Sequence, residues 1–206
     1  MIAMITMLID HIGIVFYPDS IAWRIVGRIA FPIYAYCIVQ GCLHTSSKRK
    51  YLIRLSILAL LSQLPYMWSL QPNGINVIGT FVICLGVLLL LDLKKLPLIA
   101  NIAVVAAAIA LLEAAPFSYG AYALLLILMY RYWPAKYWIA THVALTIAFY
   151  FPHTWSIQMF SVIPTLYFVY GESFARFVSG LRVPRWVWRS FYPGHLLVLA
   201  LLAWIY

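Results

Sequence analysis

The chain has 206 residues, of which 66% are hydrophobic and 9% charged. A soluble domain carries about 25% charged residues, so this chain cannot cover a globule with polar surface and is read as a single integral membrane domain over residues 1–206. The net charge of +9 does not point to nucleic acid, because the basic residues sit between apolar segments, as topology signals do, and no nucleic-acid-binding motif is present.

A spanning helix needs about 20 apolar residues. In chain order the candidates are 1–17, 22–44, 51–69, 75–92, 96–114, 117–132, 136–151, 156–175 and 190–206. Together they predict an all-α polytopic bundle of about nine spans. Segments 117–132 and 136–151 are short, and one of them is a candidate re-entrant segment. Barrel strands are excluded, because the segments are too long and do not alternate. The first segment runs straight into further apolar spans and is read as a retained helix rather than a cleaved signal.

Orientation follows from Lys and Arg. With the amino terminus inside, the inner loops hold Lys48, Arg49, Lys50, Arg54, Lys94, Lys95, Arg131, Lys136, Arg176, Arg182, Arg185 and Arg189. That places 12 of the 14 basic residues inside, the distribution of a cytosolic amino terminus in a multi-pass membrane protein. Arg24 and Arg28 are the exceptions. Trp and Tyr gather near the predicted helix ends, as interfacial anchors do. Cys37, Cys42 and Cys84 lie inside apolar segments and read as buried free thiols. No His/Cys cluster has zinc spacing, so no metal is expected.

The chemistry is concentrated near the start. Asp10 and His11 are adjacent in an apolar segment, where an ionisable group costs about 2.5–3.5 kcal/mol on insertion scales. A short loop, Tyr17-Pro18-Asp19-Ser20, leads into Arg24 and Arg28, which share a helix face at i,i+4. Antiparallel pairing of the first two spans brings Asp10, His11, Arg24 and Arg28 to similar depth in the outer third of the membrane. The plainer alternative is an ion pair that only fixes helix packing. Asn76 and Thr80 at the start of the fourth span, and Glu113 at the end of the fifth, fall on the same side, although Glu113 also suits a simple interfacial position. His44 and His153 read as ordinary surface or loop histidines, and His142 as a satisfied core histidine.

On the inner side, Arg182, Arg185 and Arg189 interleave with Trp186 and Trp188 ahead of Phe191-Tyr192-Pro193-Gly194-His195-Leu196. Such a loop suits anionic lipid or the phosphates of a cytosolic cofactor. On this reading His195 opens the last span at the inner surface, about 15–20 Å from the Asp10/His11 cluster across a hydrocarbon layer of about 30 Å.

The blocks Met7-Leu8-Ile9-Asp10-His11-Ile12-Gly13 and Arg24-Ile25-Val26-Gly27-Arg28-Ile29-Ala30-Phe31-Pro32-Ile33-Tyr34-Ala35-Tyr36 carry a resemblance. They are followed in order by Tyr51-Leu52-Ile53-Arg54-Leu55, Leu61-Ser62-Gln63-Leu64-Pro65-Tyr66, Asn76-Val77 with Thr80, and Tyr192-Pro193-Gly194-His195-Leu196. This series resembles the TraX family, whose namesake acetylates conjugative F-pilin. The middle of the chain, about 95–185, contributes no motif. The resemblance implies a membrane acetyltransferase with acetyl-CoA as acyl donor, distantly similar to acyltransferases that carry acyl groups across a bilayer onto sugars. The acceptor is then an amine or hydroxyl, on a pilin-like amino terminus or a glycan. Asp10, His11, Arg24, Arg28, Asn76 and His195 are the matching polar positions.

On that basis His11 is expected to be the base or a transient acyl carrier, with Asp10 orienting or charge-tuning it. Arg24 and Arg28 would hold the oxyanion or an anionic part of donor or acceptor. Asn76 and Glu113 are expected on the substrate side. His195, Arg182, Arg185, Arg189 and Tyr192 are expected to meet coenzyme A, since phosphates call for Arg and adenine stacks on aromatic faces. Besides acetyl-CoA, the bilayer is a partner, and a homodimer is allowed. The rivals are a small proton-coupled transporter using Asp10, His11 and Arg28, and an assembly protein without catalysis.

Overall fold

A computed structural model describes residues 1–93, 96–153, 156–171 and 184–205, with the backbone alone at 150–153, 156 and 185. The described residues form helices, in order α1 (Ile2–Phe16), α2 (Ile21–Gly27), α3 (Ala30–His44), α4 (Lys48–Ser69), α5 (Val77–Leu91), α6 (Leu98–Ala114), α7 (Gly120–Tyr132), α8 (Trp138–His153), α9 (Val162–Tyr170) and α10 (Arg185–Ile205). Short 3-10 turns, Ala135–Tyr137 and Ser156–Ser161, precede α8 and α9. An isolated bridge between Ile75 and Phe117 ties the loop before α5 to the loop before α7.

The helix starts are set by local chemistry. Ser47 caps α4 by accepting from the Lys50 N–H at 3.3 Å. Asn76 caps α5 by accepting from the N–H groups of Ile78 and Gly79 at 3.0 and 3.1 Å, which satisfies donors that have no intrahelical partner. The second predicted span is a helical run over Ile21–His44, in which the turn residues Arg28 and Ile29 separate α2 from α3. It is the one run among the described residues long and apolar enough, by length and composition, to cross a membrane.

The core lies between α3, α5, α6 and α7. Ala35, Val39, Cys42, Cys84, Leu85, Leu88 and Leu112 are buried there around α7. Along α7 itself, Ala121 to Leu124, Leu126, Ile127, Met129 and Tyr130 are all buried. A helix apolar on every side belongs in the middle of a bundle. The segment 117–132, a re-entrant candidate by its shortness, is thus the central helix. Cys42 and Cys84 are buried as expected, but Cys37 is exposed, because it points away from this core.

The exterior is apolar. Leu60, Leu61, Leu64 and Trp68 on α4, Leu98, Ile99 and Ile102 on α6, and Leu201, Trp204 and Ile205 on α10 are all exposed. Side chains of this kind over so much of a surface suit lipid rather than water.

At the end of the bundle that carries the inner-loop lysines and arginines, Asp92 gathers three helix ends. Its carboxylate accepts from Lys48 Nζ at 2.8 Å, Arg131 Nη2 at 2.9 Å and the Tyr132 hydroxyl at 3.2 Å. Burial alone would raise the Asp92 pKa, but the bonds from Lys48 and Arg131 outweigh it and hold the carboxyl below its ordinary 3.8. The unfolded chain therefore binds more protons at this site. The stabilisation is present above the ordinary value and is lost as pH falls through the depressed folded value. Lys48 is 47% exposed, which limits the contribution to about 1 kcal/mol. Asp92→Asn should lower the thermal midpoint in detergent at pH 7, and the gap to the parent protein should close as the pH is taken below 3.8. A gap that stays constant would place the effect elsewhere.

Candidate functional site

The turn after α1 sends α2 back along it, and two glycines set how closely they approach. A Cβ on Gly13 would lie 2.3 Å from Trp23 Cβ, and one on Gly27 would lie 2.2 Å from the Asp10 carboxyl carbon. Only glycine admits these contacts. The approach brings Asp10 against both arginines of the facing helix. Arg24 Nη1 is 3.4 Å from Asp10 Oδ1. Arg28 Nη2 donates to both oxygens, at 3.3 and 3.1 Å.

Arg28 is tied on every side. Its Nε donates to the Arg24 carbonyl at 3.3 Å, and its Nη1 to Gln158 Oε1 at 3.4 Å. Its guanidinium stands 5.7 Å from the centre of the Tyr119 ring, a cation–π distance. Tyr119 occupies a left-handed backbone position, φ 66°, which is costly for a bulky residue. Its ring stacks on Phe31 with centroids 3.8 Å apart. With one carboxylate and two guanidiniums, the cluster keeps an excess positive charge.

Asp10 and His11 do not touch the same partners, as side chains about 100° apart on a helix should not. His11 faces α10 instead. Its Nδ1 lies 2.8 Å from His195 Nε2. His195 Nδ1 in turn donates to the Phe191 carbonyl at 2.6 Å. Tyr192 meets both rings edge-on, with centroids 6.3 Å from His11 and 5.7 Å from His195. His11, His195 and Asp10 are each 9% exposed or less.

This pairing overturns the expected separation of the two histidines. The last helix begins at Arg185 rather than at 190, so His195 stands ten residues into α10 and His11 nine residues into α1. At 1.5 Å per residue each ring is about 14–15 Å from its helix start. His195 and Tyr192 therefore belong with His11 rather than with an inner rim. Arg189 is exposed on the first turns of α10. Arg182 lies outside the described residues, and of Arg185 only the backbone is described.

The two expected substrate contacts sit elsewhere. Asn76 caps α5 with its side-chain oxygen, and its amide donates to the Ala59 carbonyl at 2.9 Å and Gln63 Oε1 at 2.8 Å. Its oxygen is taken up by the cap and both its amide hydrogens by α4, so its side-chain hydrogen-bonding capacity is used within the fold. Glu113 accepts from the Ala121 N–H at 2.8 Å and so joins the end of α6 to the first turn of α7.

Sequence reasoning did not find Gln158 or Tyr119, both of which meet Arg28 from distant segments. No spacing pattern marks either. His142 is a saturated core histidine. Its Nε2 meets the Tyr122 hydroxyl at 2.7 Å and Ser161 Oγ at 3.2 Å, and its Nδ1 meets Thr165 Oγ1 at 2.7 Å. This network fastens α7, α8 and α9 to one another. Among the described residues no group of three or more His, Cys, Asp or Glu side chains could hold a metal ion.

The profile of the TraX protein family matches residues 1–203. The chain belongs to the TraX family. A curated relative, the probable fimbrial assembly protein FimC, serogroup H1, of Dichelobacter nodosus, is 32% identical over 80 residues, which is 36% of this chain and 32% of that protein. The chain thus spans about a third of the length of the curated relative it matches. No solved structure matches it. Membership spans both histidines and both arginines, so the site and the match run through the same residues.

A buried carboxylate that loses one partner keeps its desolvation cost, which makes breaking such a pair worth about 3–5 kcal/mol. Arg28→Leu should destabilise the protein by that amount, read from unfolding in detergent. Arg24→Leu should cost less, since the Arg24 side chain is 29% exposed against 11% for Arg28. Adding Asp10→Asn to Arg28→Leu should recover part of the loss, and no recovery would mean that Arg28 acts through Gln158 and Tyr119 alone.

Proposed function

We propose that this TraX-family protein is an acetyltransferase of the bacterial inner membrane that moves an acetyl group from cytosolic acetyl-CoA to an amine or hydroxyl acceptor. The observation that carries the reading is the His11–His195 pair beside a buried cluster of excess positive charge. Acyl transfer needs a base for the acceptor's proton and fixed positive charge or donors for the oxyanion. Among the described residues no group bonds His11 Nε2, which leaves that nitrogen available to an acceptor.

In this reading the acceptor nitrogen or oxygen attacks the thioester carbonyl while His11 Nε2 takes its proton. The tetrahedral oxyanion is stabilised by the Arg24 and Arg28 charge. The carbon–sulfur bond then breaks, and the proton on His11 passes to the leaving thiolate, restoring the neutral ring. Arg24, the more exposed of the two arginines, is the better placed to meet a reacting group, and Arg28 keeps Asp10 neutralised beneath it. Arg189 and the inner loop would meet the coenzyme A phosphates at the cytosolic end.

A pilin-type acceptor is supported by the family resemblance and by the fimbrial assembly protein similar to part of the chain. The membrane placement is supported by the hydrophobic fraction of 66% and the apolar exterior. The helices α1, α5, α6 and α7 have 15, 15, 17 and 13 residues. They are about 20–26 Å long against about 30 Å of hydrocarbon, so a multi-pass arrangement would thin the bilayer locally.

Purified protein in nanodiscs, given labelled acetyl-CoA and a panel of pilin-like amino termini and glycans, should transfer label to one acceptor class by mass spectrometry. His11→Ala should lower transfer by about 100-fold or more, the range for loss of a general base, while the protein still folds and inserts. Label that stays on His11 in the absence of acceptor would make it an acyl carrier. Undiminished turnover in the variant would remove it from the chemistry.

A further inference from the structure

We infer that His195 is the positioning residue of His11, fixing by its Phe191-locked tautomer which nitrogen of His11 is free to act as the base. The inference rests on the reading of His11 given above and deepens it. A carbonyl oxygen can only accept, so the 2.6 Å contact with Phe191 requires a proton on His195 Nδ1. With the ring neutral, His195 Nε2 then carries a lone pair. The 2.8 Å contact with His11 Nδ1 can form only if that nitrogen is the donor. The proton of neutral His11 is thereby held on Nδ1, and Nε2 is left as the basic nitrogen.

The ring geometry supports a true hydrogen bond. The two planes are 12° from parallel, with centroids 5.0 Å apart. Parallel faces in contact would stand about 3.5 Å apart, farther than the 2.8 Å between the nitrogens. The rings therefore meet edge to edge in nearly one plane, along the lone-pair direction. Packing holds them there. His195 stacks on Phe191 with centroids 4.8 Å apart, and Tyr192 abuts both rings.

Adjacency in sequence suggests Asp10 for this part, but both oxygens of Asp10 are engaged by Arg24 and Arg28. The Asp10 and His11 side chains also point about 100° apart around α1, and His11 Nδ1 is bonded to His195 instead, so Asp10 does not orient the imidazole. The orienting acceptor is instead supplied from the other end of the chain, by the helix turn Phe191–His195. When His11 takes a proton, its Nδ1–H remains bonded to His195 Nε2, so the imidazolium forms without rearranging its partner.

The test combines a tautomer measurement with a substitution series. Nitrogen-15 NMR of histidine-labelled protein in nanodiscs, with His11 assigned by the His11→Ala variant, should show His11 protonated on Nδ1 and bare on Nε2 when neutral. His195→Gln offers a carbonyl near the position of Nε2 and should keep that tautomer, with kcat within about tenfold of the parent. His195→Leu removes the acceptor; it should mix the tautomers and lower kcat by about 100-fold or more, with KM for acetyl-CoA changed less than about twofold. His195→Lys presents only donors and should drive the proton to Nε2, with a loss at least as large. A His11 ring protonated on Nε2 in the parent protein, or full kcat in His195→Leu, would overturn the inference while leaving acetyl transfer intact. The expected tautomers in a protein that moves no acetyl group to any acceptor would instead retain the positioning of His11 and overturn the acetyltransferase reading.

Discussion

Asp10 is the constraint around which the amino-terminal third is arranged. A carboxylate at this depth costs several kcal/mol in desolvation, and only well-placed cations with good hydrogen bonds offset it. Two arginines one helical turn apart meet it, and Gly13 and Gly27 allow α2 near enough for them to do so. Arg28 stands at the turn between α2 and α3 and also bonds Gln158 and faces Tyr119. One carboxylate thus fixes α1, α2, the start of α3 and the turn before α9. With Asp10 facing α2, the helical period turns the next residue, His11, about 100° away and toward α10.

The other buried polar groups follow the same rule at other levels of the bundle. Asn76 is saturated by two accepted and two donated bonds. His142 is held by Tyr122, Ser161 and Thr165. Asp92 collects two cations and a tyrosine. In a bundle with so apolar an exterior, an unpaired polar group would have no water to turn to. These clusters connect helices. His11 differs, because one nitrogen is fixed by His195 and the other has no partner among the described residues. On the acetyltransferase reading proposed above, that open nitrogen is what lets His11 act as the base.

The match to the TraX family covers nearly the whole chain, and the motifs through which the sequence resembles that family lie in α1 to α4, the start of α5 and α10. These are the elements that surround the two histidines or brace the helices beside them. The middle helices α6 to α8 supply core and a separate polar network. The chain therefore brings its two ends together to make the site and uses its middle to hold them. Apolar residues dominate the middle because packing there asks only for volume and shape.

Several features were legible in the sequence because they depend on local chemistry or composition. The hydrophobic fraction set an all-helical bundle. The i,i+4 spacing put Arg24 and Arg28 on one face, and the short turn before them returned that face to Asp10. His142 as a core histidine was readable from its apolar neighbours. What the sequence could not show was the height of one helix against another. The apolar run that begins at 190 puts His195 at an inner surface; the helix extends back to Arg185 through Trp186 and Trp188, which lifts the ring to the level of His11. Asn76 was expected at a substrate, since capping and substrate binding draw on the same side chain and only the partners across α4 distinguish them. Gln158 and Tyr119 reach Arg28 from segments far away in the chain, and no periodicity records such contacts. Composition, charge and helical period are properties of a segment alone. The choice of His195 over Asp10 as the partner of His11 is a property of two helices packed together, and tertiary structure alone decides it.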